Sequence, residues 1–519
     1  MINKLIFLTR FSICCVCVFF ISCGQKKEPV HVEQQSPLEL VNADFFKLLP
    51  SCSNAFVVKL YELNTNELIW CGEDLSLNSN GLELIGVFES ALDFGLNPAN
   101  YLTKDELSSK SPIDRDTMLT SCFVRFVSDL NYGMLAVDSA TPFPLVNFDR
   151  KLLFENFKGF GEDSLLALIS SFEPAHYQYQ QLVLALKKYV RRTGLSTQKK
   201  KVKSNKQDSL NHLNAAAEAL VIHGLLDTVD LDHGVLTNAI KVFQKEHGLN
   251  ADGLVGSKTA KLLSKSPYDY FLSAVLALDK WRKKEVWGKD RIDINIPGYS
   301  LRYFKNDSLD RLHKVIIGNV KAQTIEILDS VEYLVVYPYW YVPRSIINHE
   351  MLPKARKDST YFTRKGFEIL KGRKVVAAEN LDYNGSFRYT VRQKGGASNA
   401  LGLVKFIFPN PSSIYLHDTP SKRLFSKEVR AFSHGCIRLQ NPLDLAYKVL
   451  ADDGSAYSKK RVKEIIKNKE RTRINLNKKL PIYVHYTLAS VIDSNIVFHE
   501  DIYNREKASI KAIRRVFSQ

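Results

Sequence analysis

No apolar run in this 519-residue sequence is long enough to hold a stable membrane-spanning helix. The longest, FSICCVCVFFISC at residues 11–23, falls short of the roughly 20 residues that a bilayer requires. Zinc-finger spacings, RNP-type aromatic patterns and basic-helix motifs are also missing, which argues against a nucleic-acid partner. Acidic residues are in deficit, 55 against 72 Lys and Arg, and the formal net charge is +17. A surface of that sign suits anionic lipid or an acidic polymer. Wholesale disorder is excluded by a hydrophobic fraction of 45%. The length provides for about two to four domains.

What is present begins with a targeting segment. Residues 1–22 combine Lys4 and Arg10 with the short apolar run, and Ser22-Cys23-Gly24 resembles a lipobox in which Phe20 replaces the usual Leu. The expectation is a lipoprotein signal, a lipid-modified Cys23 that anchors the chain to a membrane, and a polar tether over residues 23–40. Of eight cysteines, Cys14, Cys15 and Cys17 leave with the signal and Cys23 is lipidated. Cys52, Cys71, Cys122 and Cys436 remain. Cys52 and Cys71 flank the strand-like runs AFVVKLYEL and ELIWC and could bridge; free buried thiols are the alternative.

The rest of the chain reads as multi-domain α+β. Residues 41–192 carry apolar residues at helical spacing, as in LELIGVFESALDFGLNP and DSLLALISSF, with a small β entry. Lysines and breakers at 193–209 read as a basic linker or exposed loop. Three helices are expected over 210–265, the last capped by Ser257, and a connecting helix over 266–290. From Arg291 the pattern turns to short runs rich in Val, Ile, Tyr and Phe, so 291–490 is expected to be a mainly β domain. Its charged, aromatic stretch at about 344–392 reads as an insertion. Residues 491–519 form a C-terminal extension with a strand and a basic helix.

The chemistry concentrates in YLHDTPSKRLFSKEVRAFSHGCIRLQN, residues 415–441. A thiolate is a strong nucleophile, and a nearby imidazole can take the thiol proton and return it. Gly435 permits a sharp turn just before the sulfur. Asn441-Pro442 opens an amphipathic helix, so Cys436 is expected near a strand end and His417, after Ile414-Tyr415-Leu416, at another. A metal site is disfavoured because this stretch contains no CxxC or HExxH spacing. Residue types alone leave a structural Cys and His equally open.

The full string resembles the active-site signature of L,D-transpeptidases with the YkuD catalytic domain: His417, a gap, then Ser433, His434, Gly435, Cys436, Ile437 and Arg438. SNALGLVKFIFPN and YPYWYVPRSI are similar to segments of the large Gram-negative members. AIKVFQKEHGLNADGLVGSKTAKLL resembles the three-helix peptidoglycan-binding domain, and residues 41–192 look like the scaffold domain of the same large enzymes. The resemblance implies a sandwich-like catalytic domain with a lid at 344–392, no cofactor, and acyl transfer on peptidoglycan stem peptides, with glycan strands as a further partner. It implies Cys436 as nucleophile and His417 as base, oriented by a backbone carbonyl. Ser433, His434 and Gly435 would line the cleft and the oxyanion site. Arg438, Tyr415, Asn399 and Trp340 are substrate-binding candidates, Arg438 being equally compatible with a structural ion pair. Tyr341, where Asn is common, and Gly395-Gly396, where Pro-Gly is common, depart from the pattern and put acceptor geometry in doubt. The expected product is a 3→3 cross-link. Release of the thioester to water or a D-amino acid, attachment of a protein to the wall, and a non-catalytic wall-binding lipoprotein stay open.

Overall fold

The computed structural model describes residues 55–135, 150–158, 160–161, 164–204, 210–284 and 288–518. The signal, Cys23, the tether and Cys52 lie outside the described residues. No helix among the described residues is long and apolar enough to cross a membrane.

The N-terminal helical unit is built on α1 (Ala55–Leu63), α2 (Ser79–Glu89) and α3 (Pro112–Tyr132). Ser111 caps α3 by accepting from the Asp114 N–H, and Pro112 occupies the first helical position. Trp70, Phe88, Phe123 and Phe126 fill the core. The AFVVKLYEL segment is α1, not the expected strand. Val57, Leu60 and Tyr61 recur at helical spacing and are fully buried, and the Tyr61 hydroxyl donates to Asp116 at 2.6 Å. Tertiary burial overrides the β preference of its paired valines. Cys71 is a free, buried thiol, the second of the two readings left open for it, and burial, then Asp116, pushes its pKa up to about 12.

A second core joins α4 (Tyr177–Thr193), α5 (Leu210–Ile222), α6 (His233–Glu246), α7 (Ser257–Leu263) and α8 (Pro267–Arg282). Gly256, rather than Ser257, stands at the N-cap of α7. The lysine-rich segment before α5 is exposed and irregular over most of its described part, and is pinned at two points. Val202 is buried, its N–H donates to Ser264 Oγ at 2.9 Å, and Lys199 pairs with Asp269 at 2.8 Å. Helix α8 is the hub of the molecule. Its Asp279 accepts from the Met134 and Leu135 N–H groups at 2.6 and 3.2 Å and from Lys283, and Trp281 stacks edge-on to His485 of the β domain.

The β domain comprises β1 (Arg291–Asn295), β2 (Ser300–Lys305), β3 (Ser308–Gly318), β4 (Ile327–Val336), β5 (Trp340–Tyr341), β6 (Phe367–Lys371), β7 (Lys374–Val376), β8 (Thr390–Gln393), β9 (Val404–Ile407), β10 (Leu416–His417), β11 (Ala431–Ser433), β12 (Ile437–Leu439) and β13 (Thr472–His485). Nine of these form one sheet in the order β11-β3-β12-β10-β9-β4-β13-β1-β2. Strand β3 pairs with β2 through its first part and with β12 near its end, so the ladder closes on itself and leaves few free edges. One face packs on a core shared with α9 (Pro442–Asp452) and α10 (Lys459–Lys467). Strands β5-β8-β6-β7 make a separate small sheet with its own core around Phe362, Phe387 and Val391; this is the insertion expected at 344–392. Beyond β13, the hairpin β14 (Ala489–Ile492) and β15 (Asn495–Phe498) and helix α11 (Lys507–Val516) return to pack on the second core.

Replacing Asp279 with Ala would strand two backbone N–H groups and the Lys283 ammonium. We expect a loss of about 3 kcal/mol or more, seen as a fall of roughly 6 °C or more in the first thermal transition. An unchanged midpoint would contradict the hub.

Candidate active site

Parallel pairing of β10 with β12 sets Leu416 opposite Ile437 and His417 opposite Arg438. Leu416 and Ile437 are fully buried on the core face. Successive side chains alternate, so Tyr415, His417, Cys436 and Arg438 share the other face. With strands about 4.8 Å apart and a rise of about 3.3 Å per residue, the Cα atoms of His417 and Cys436 lie roughly 8 Å apart on a diagonal. Antiparallel pairing of β9 with β10 sets Lys405 opposite His417 and adds it to the same face.

Each side chain has a defined setting. His417 is buried, and its Nδ1 lies 2.5 Å from the Asp418 carbonyl, which makes Nδ1 the protonated nitrogen and leaves the Nε2 lone pair available. Burial, then the Arg438 charge, pulls its pKa down to about 3, so the imidazole is neutral. Burial pushes the Cys436 thiol up, while hydrogen bonds from the Tyr415 backbone and hydroxyl and the charges of Lys405 and Arg438 draw it back. Lys405 Nζ lies 5.1 Å from the centre of the Tyr415 ring, and burial holds its pKa down. Arg438 Nε is buried with no hydrogen-bond partner. Among the described residues no carboxylate forms an ion pair with Lys405 or Arg438; the structural ion pair held open for Arg438 is therefore absent there.

The turn before the sulfur is braced from three sides. Ser433 is buried and its Oγ donates to the Cys436 carbonyl at 2.5 Å. Its own carbonyl accepts from the Asn319 N–H and Nδ2 at 2.9 and 3.0 Å. Gly435 has φ +103°, a conformation that favours glycine, and its carbonyl accepts from Thr324 Oγ1 at 2.8 Å. The Gly318 N–H donates to the same Thr324 oxygen at 2.9 Å, and the Tyr503 hydroxyl of the C-terminal extension donates to the Gly318 carbonyl at 2.6 Å. His434 Nε2 lies 2.7 Å from Glu350 Oε1, which links the Cys436 turn to the insertion. Glu350 sits in a π-helical turn, Ile347–Met351.

One expected cleft residue needs correction, and a second sits on the insertion. Asn399 is 0% exposed; its Nδ2 donates to the Gln393 and Lys394 carbonyls and its Oδ1 accepts from the Leu401 N–H, so it holds a turn and has no free polar atom for a ligand. Trp340 pairs across β5 with Gln393 and packs on the insertion's core near Phe367. At Asn441 the expected side-chain cap is also missing; the residue is left-handed, φ 51°, and Pro442 alone sets the helix start. Lys405, Thr324, Asn319, Glu350 and Tyr503 escaped the sequence reading. Only Lys405 had a local signal, the alternation of LVKFIF, and its meaning depends on a register that sequence does not reveal.

Residues 289–473 match the family described as "L,D-transpeptidase catalytic domain" (YkuD), residues 55–186 match "Scaffold domain", and residues 218–263 match "Putative peptidoglycan binding domain". A Haemophilus influenzae protein named "Putative L,D-transpeptidase" is 34% identical over 220 residues, 42% of this chain and 44% of that protein; the chain thus spans less than half the length of this relative. Crystal structures of L,D-transpeptidases from Xylanimonas cellulosilytica and Stackebrandtia nassauensis are each 14% identical. They cover 56% and 55% of this chain and 98% and 96% of their own, with TM-scores of 0.17 and 0.21, too low to bear on the fold. Along the chain the matches run in the order scaffold domain, peptidoglycan-binding domain and YkuD-type L,D-transpeptidase catalytic domain.

Replacing Lys405 with Met removes a charge that favours the thiolate. Alkylation of Cys436, followed by peptide mass mapping, should then reach its alkaline midpoint at higher pH and slow roughly 3- to 10-fold at pH 8. An unchanged or faster rate would remove Lys405 from the site's electrostatics.

Proposed function

We propose that the chain is an L,D-transpeptidase that joins peptidoglycan stem peptides through a thioester on Cys436. The observation that carries this reading is one sheet face bearing a thiol, a neutral imidazole with its Nε2 free, and two cations without a carboxylate partner among the described residues. Cations so placed suit the carboxylates of a tetrapeptide donor.

In the reaction, His417 Nε2 takes the Cys436 proton as the sulfur attacks the carbonyl of the donor's third residue. Backbone N–H groups at 434–436 hold the oxyanion. The bond to the terminal D-Ala breaks, and the imidazolium returns its proton to the departing amine. An amine of a neighbouring stem then attacks the thioester, His417 accepts the amine proton, and the thiolate leaves and is reprotonated; the product is a 3→3 cross-link. A neutral His417 and a neutral thiol in the free enzyme mean that the proton moves during attack, not before. Arg438 and Lys405 stabilise the developing thiolate and orient the donor. The insertion carrying Glu350 serves as a lid that excludes water from the thioester. The site of action is the cell envelope, with the chain held to a membrane through a lipid on Cys23.

Incubating the chain with a carbapenem should add one drug mass, mapped to Cys436, and Cys436→Ala should show none while keeping its thermal midpoint. His417→Ala should slow acylation by about 10²- to 10⁴-fold. Stem-peptide dimers made by Cys436→Ala would contradict the assignment.

A further inference from the structure

The face that carries Cys436 extends past His417 to the far side of the sheet, and it is basic along the way. Register sets Arg473 of β13 opposite Val335 of β4, Val335 opposite Lys405 of β9, Lys405 opposite His417 of β10, and His417 opposite Arg438 of β12. Directly paired residues point to the same side of a sheet, so Arg473 joins Lys405 and Arg438 on one face. Two residues along the strands lies a second line. Asn475 pairs with Tyr333, and Tyr333 with Ile407. The same ladder carries this line on to Tyr415 and ends it at Cys436. Arg473 and Asn475 are exposed, and Tyr333, Lys405, Ile407 and Tyr415 are half-buried, so the line is open to solvent along its length.

The cations of the first line lean over the rings of the second. The Arg473 guanidinium lies 3.6 Å from the centre of the Tyr333 ring, and Lys405 Nζ lies 5.1 Å from that of Tyr415. A ring face attracts a cation and holds it in place. Arg473 Nε also donates to Asn475 Oδ1 at 2.8 Å, which fixes the plane of the guanidinium. Its two terminal nitrogens have no hydrogen-bond partner, and no carboxylate pairs with it, among the described residues. By contrast, Lys479 of the same strand is paired with Glu332 at 2.7 Å. The charge of Arg471, just before β13, reaches Lys405 as well: after burial it is the next influence that holds the Lys405 pKa down. A preset, half-spent guanidinium with its fork free is the arrangement that grips a carboxylate through two parallel hydrogen bonds and gains far less from a neutral amide.

The spacing fits a peptide. Tyr333 stands three strands from Cys436, roughly 14 Å at about 4.8 Å per strand. Three extended residues cover about 10 Å, and an acidic side chain makes up the rest. One extended peptide lying across the strands can therefore place its reacting carbonyl at Cys436 and an earlier carboxylate over Tyr333. Its terminal carboxylate, beyond the bond that breaks, then falls toward Arg438 at the other end of the basic line.

We propose that Arg473, held on Tyr333, is a specificity residue that binds a side-chain carboxylate of the donor peptide, so that the site selects donors in which this carboxylate is free over donors in which it is amidated; the proposal rests on the acyl-transfer reading above. The test uses the full chain, a tetrapeptide donor and the same donor amidated at its acidic side chain. The wild type should favour the free carboxylate about tenfold in kcat/KM, through KM. Arg473→Gln should raise KM for the free-carboxylate donor about tenfold, with kcat and the thermal midpoint kept, and should abolish the preference over the amidated donor; Arg473→Lys should recover part of it. An unchanged donor KM in Arg473→Gln, an equal rise for the amidated donor, or a rise confined to the KM of the acceptor amine overturns the proposal. Carbapenem acylation of the wild type reports on the underlying reading separately: a wild type acylated at Cys436 but indifferent to donor amidation keeps the transferase and loses the Arg473 seat, whereas a wild type that neither drug nor peptide acylates loses both.

Discussion

The pairing of Leu416 with Ile437 is the constraint on which the site depends. Two short parallel strands are fixed by the burial of these side chains, each worth about 1.5–3 kcal/mol. A slip of one residue would send Tyr415, His417, Cys436 and Arg438 into the core and bring the leucine and isoleucine to the surface. Burying an unpaired guanidinium there costs more than the apolar contacts return. Packing and charge therefore select one register, and it puts the thiol, the imidazole and a cation on one face.

The other parts of the molecule act on this strand pair from outside. The loop from β3 to β4 grips the turn through Asn319 and Thr324, and the C-terminal extension grips that loop through Tyr503 and through Arg505, which donates to Gln323 at 2.7 Å. The insertion reaches the turn at His434 through Glu350. The three-helix unit holds the middle of the same loop at Glu428. Helix α8 carries the load between these units, since its faces pack on the helical core, the C-terminal helix and the β domain. A tail without chemistry of its own thus takes part in holding the Cys436 turn.

How much of this was legible follows from where each signal lies along the chain. The alternation of Cys436, Ile437, Arg438 and Leu439 is local, as is the turn at Gly435, so the motif and its strand ends could be read directly. The three helices around Phe243 declared themselves by period. Partnerships between distant segments could not be read: Lys405 beside His417, Thr324 beneath Gly435, Glu350 on His434. Asn399 was expected in the cleft because it occupies a motif-like string, yet the backbone's own hydrogen-bonding needs claim it. Val57-Val58 suggested a strand, but burial every third and fourth residue makes a helix. Val202 shows the same kind of override, a buried apolar side chain inside a run of lysines that composition alone assigns to solvent.

The proposed mechanism needs His417 preset as a base, with its Nδ1 proton spent on the Asp418 carbonyl, so that Nε2 is left to take the thiol proton. Ring-nitrogen NMR of selectively labelled histidine, with His417→Gln to assign the signals, tests this most directly. We predict the Nδ1–H tautomer, a titration midpoint far below the ordinary histidine value, near 3, and a shift of the Nε2 resonance when Cys436 is alkylated. An Nε2–H tautomer, or a ring indifferent to modification of the sulfur, would contradict it.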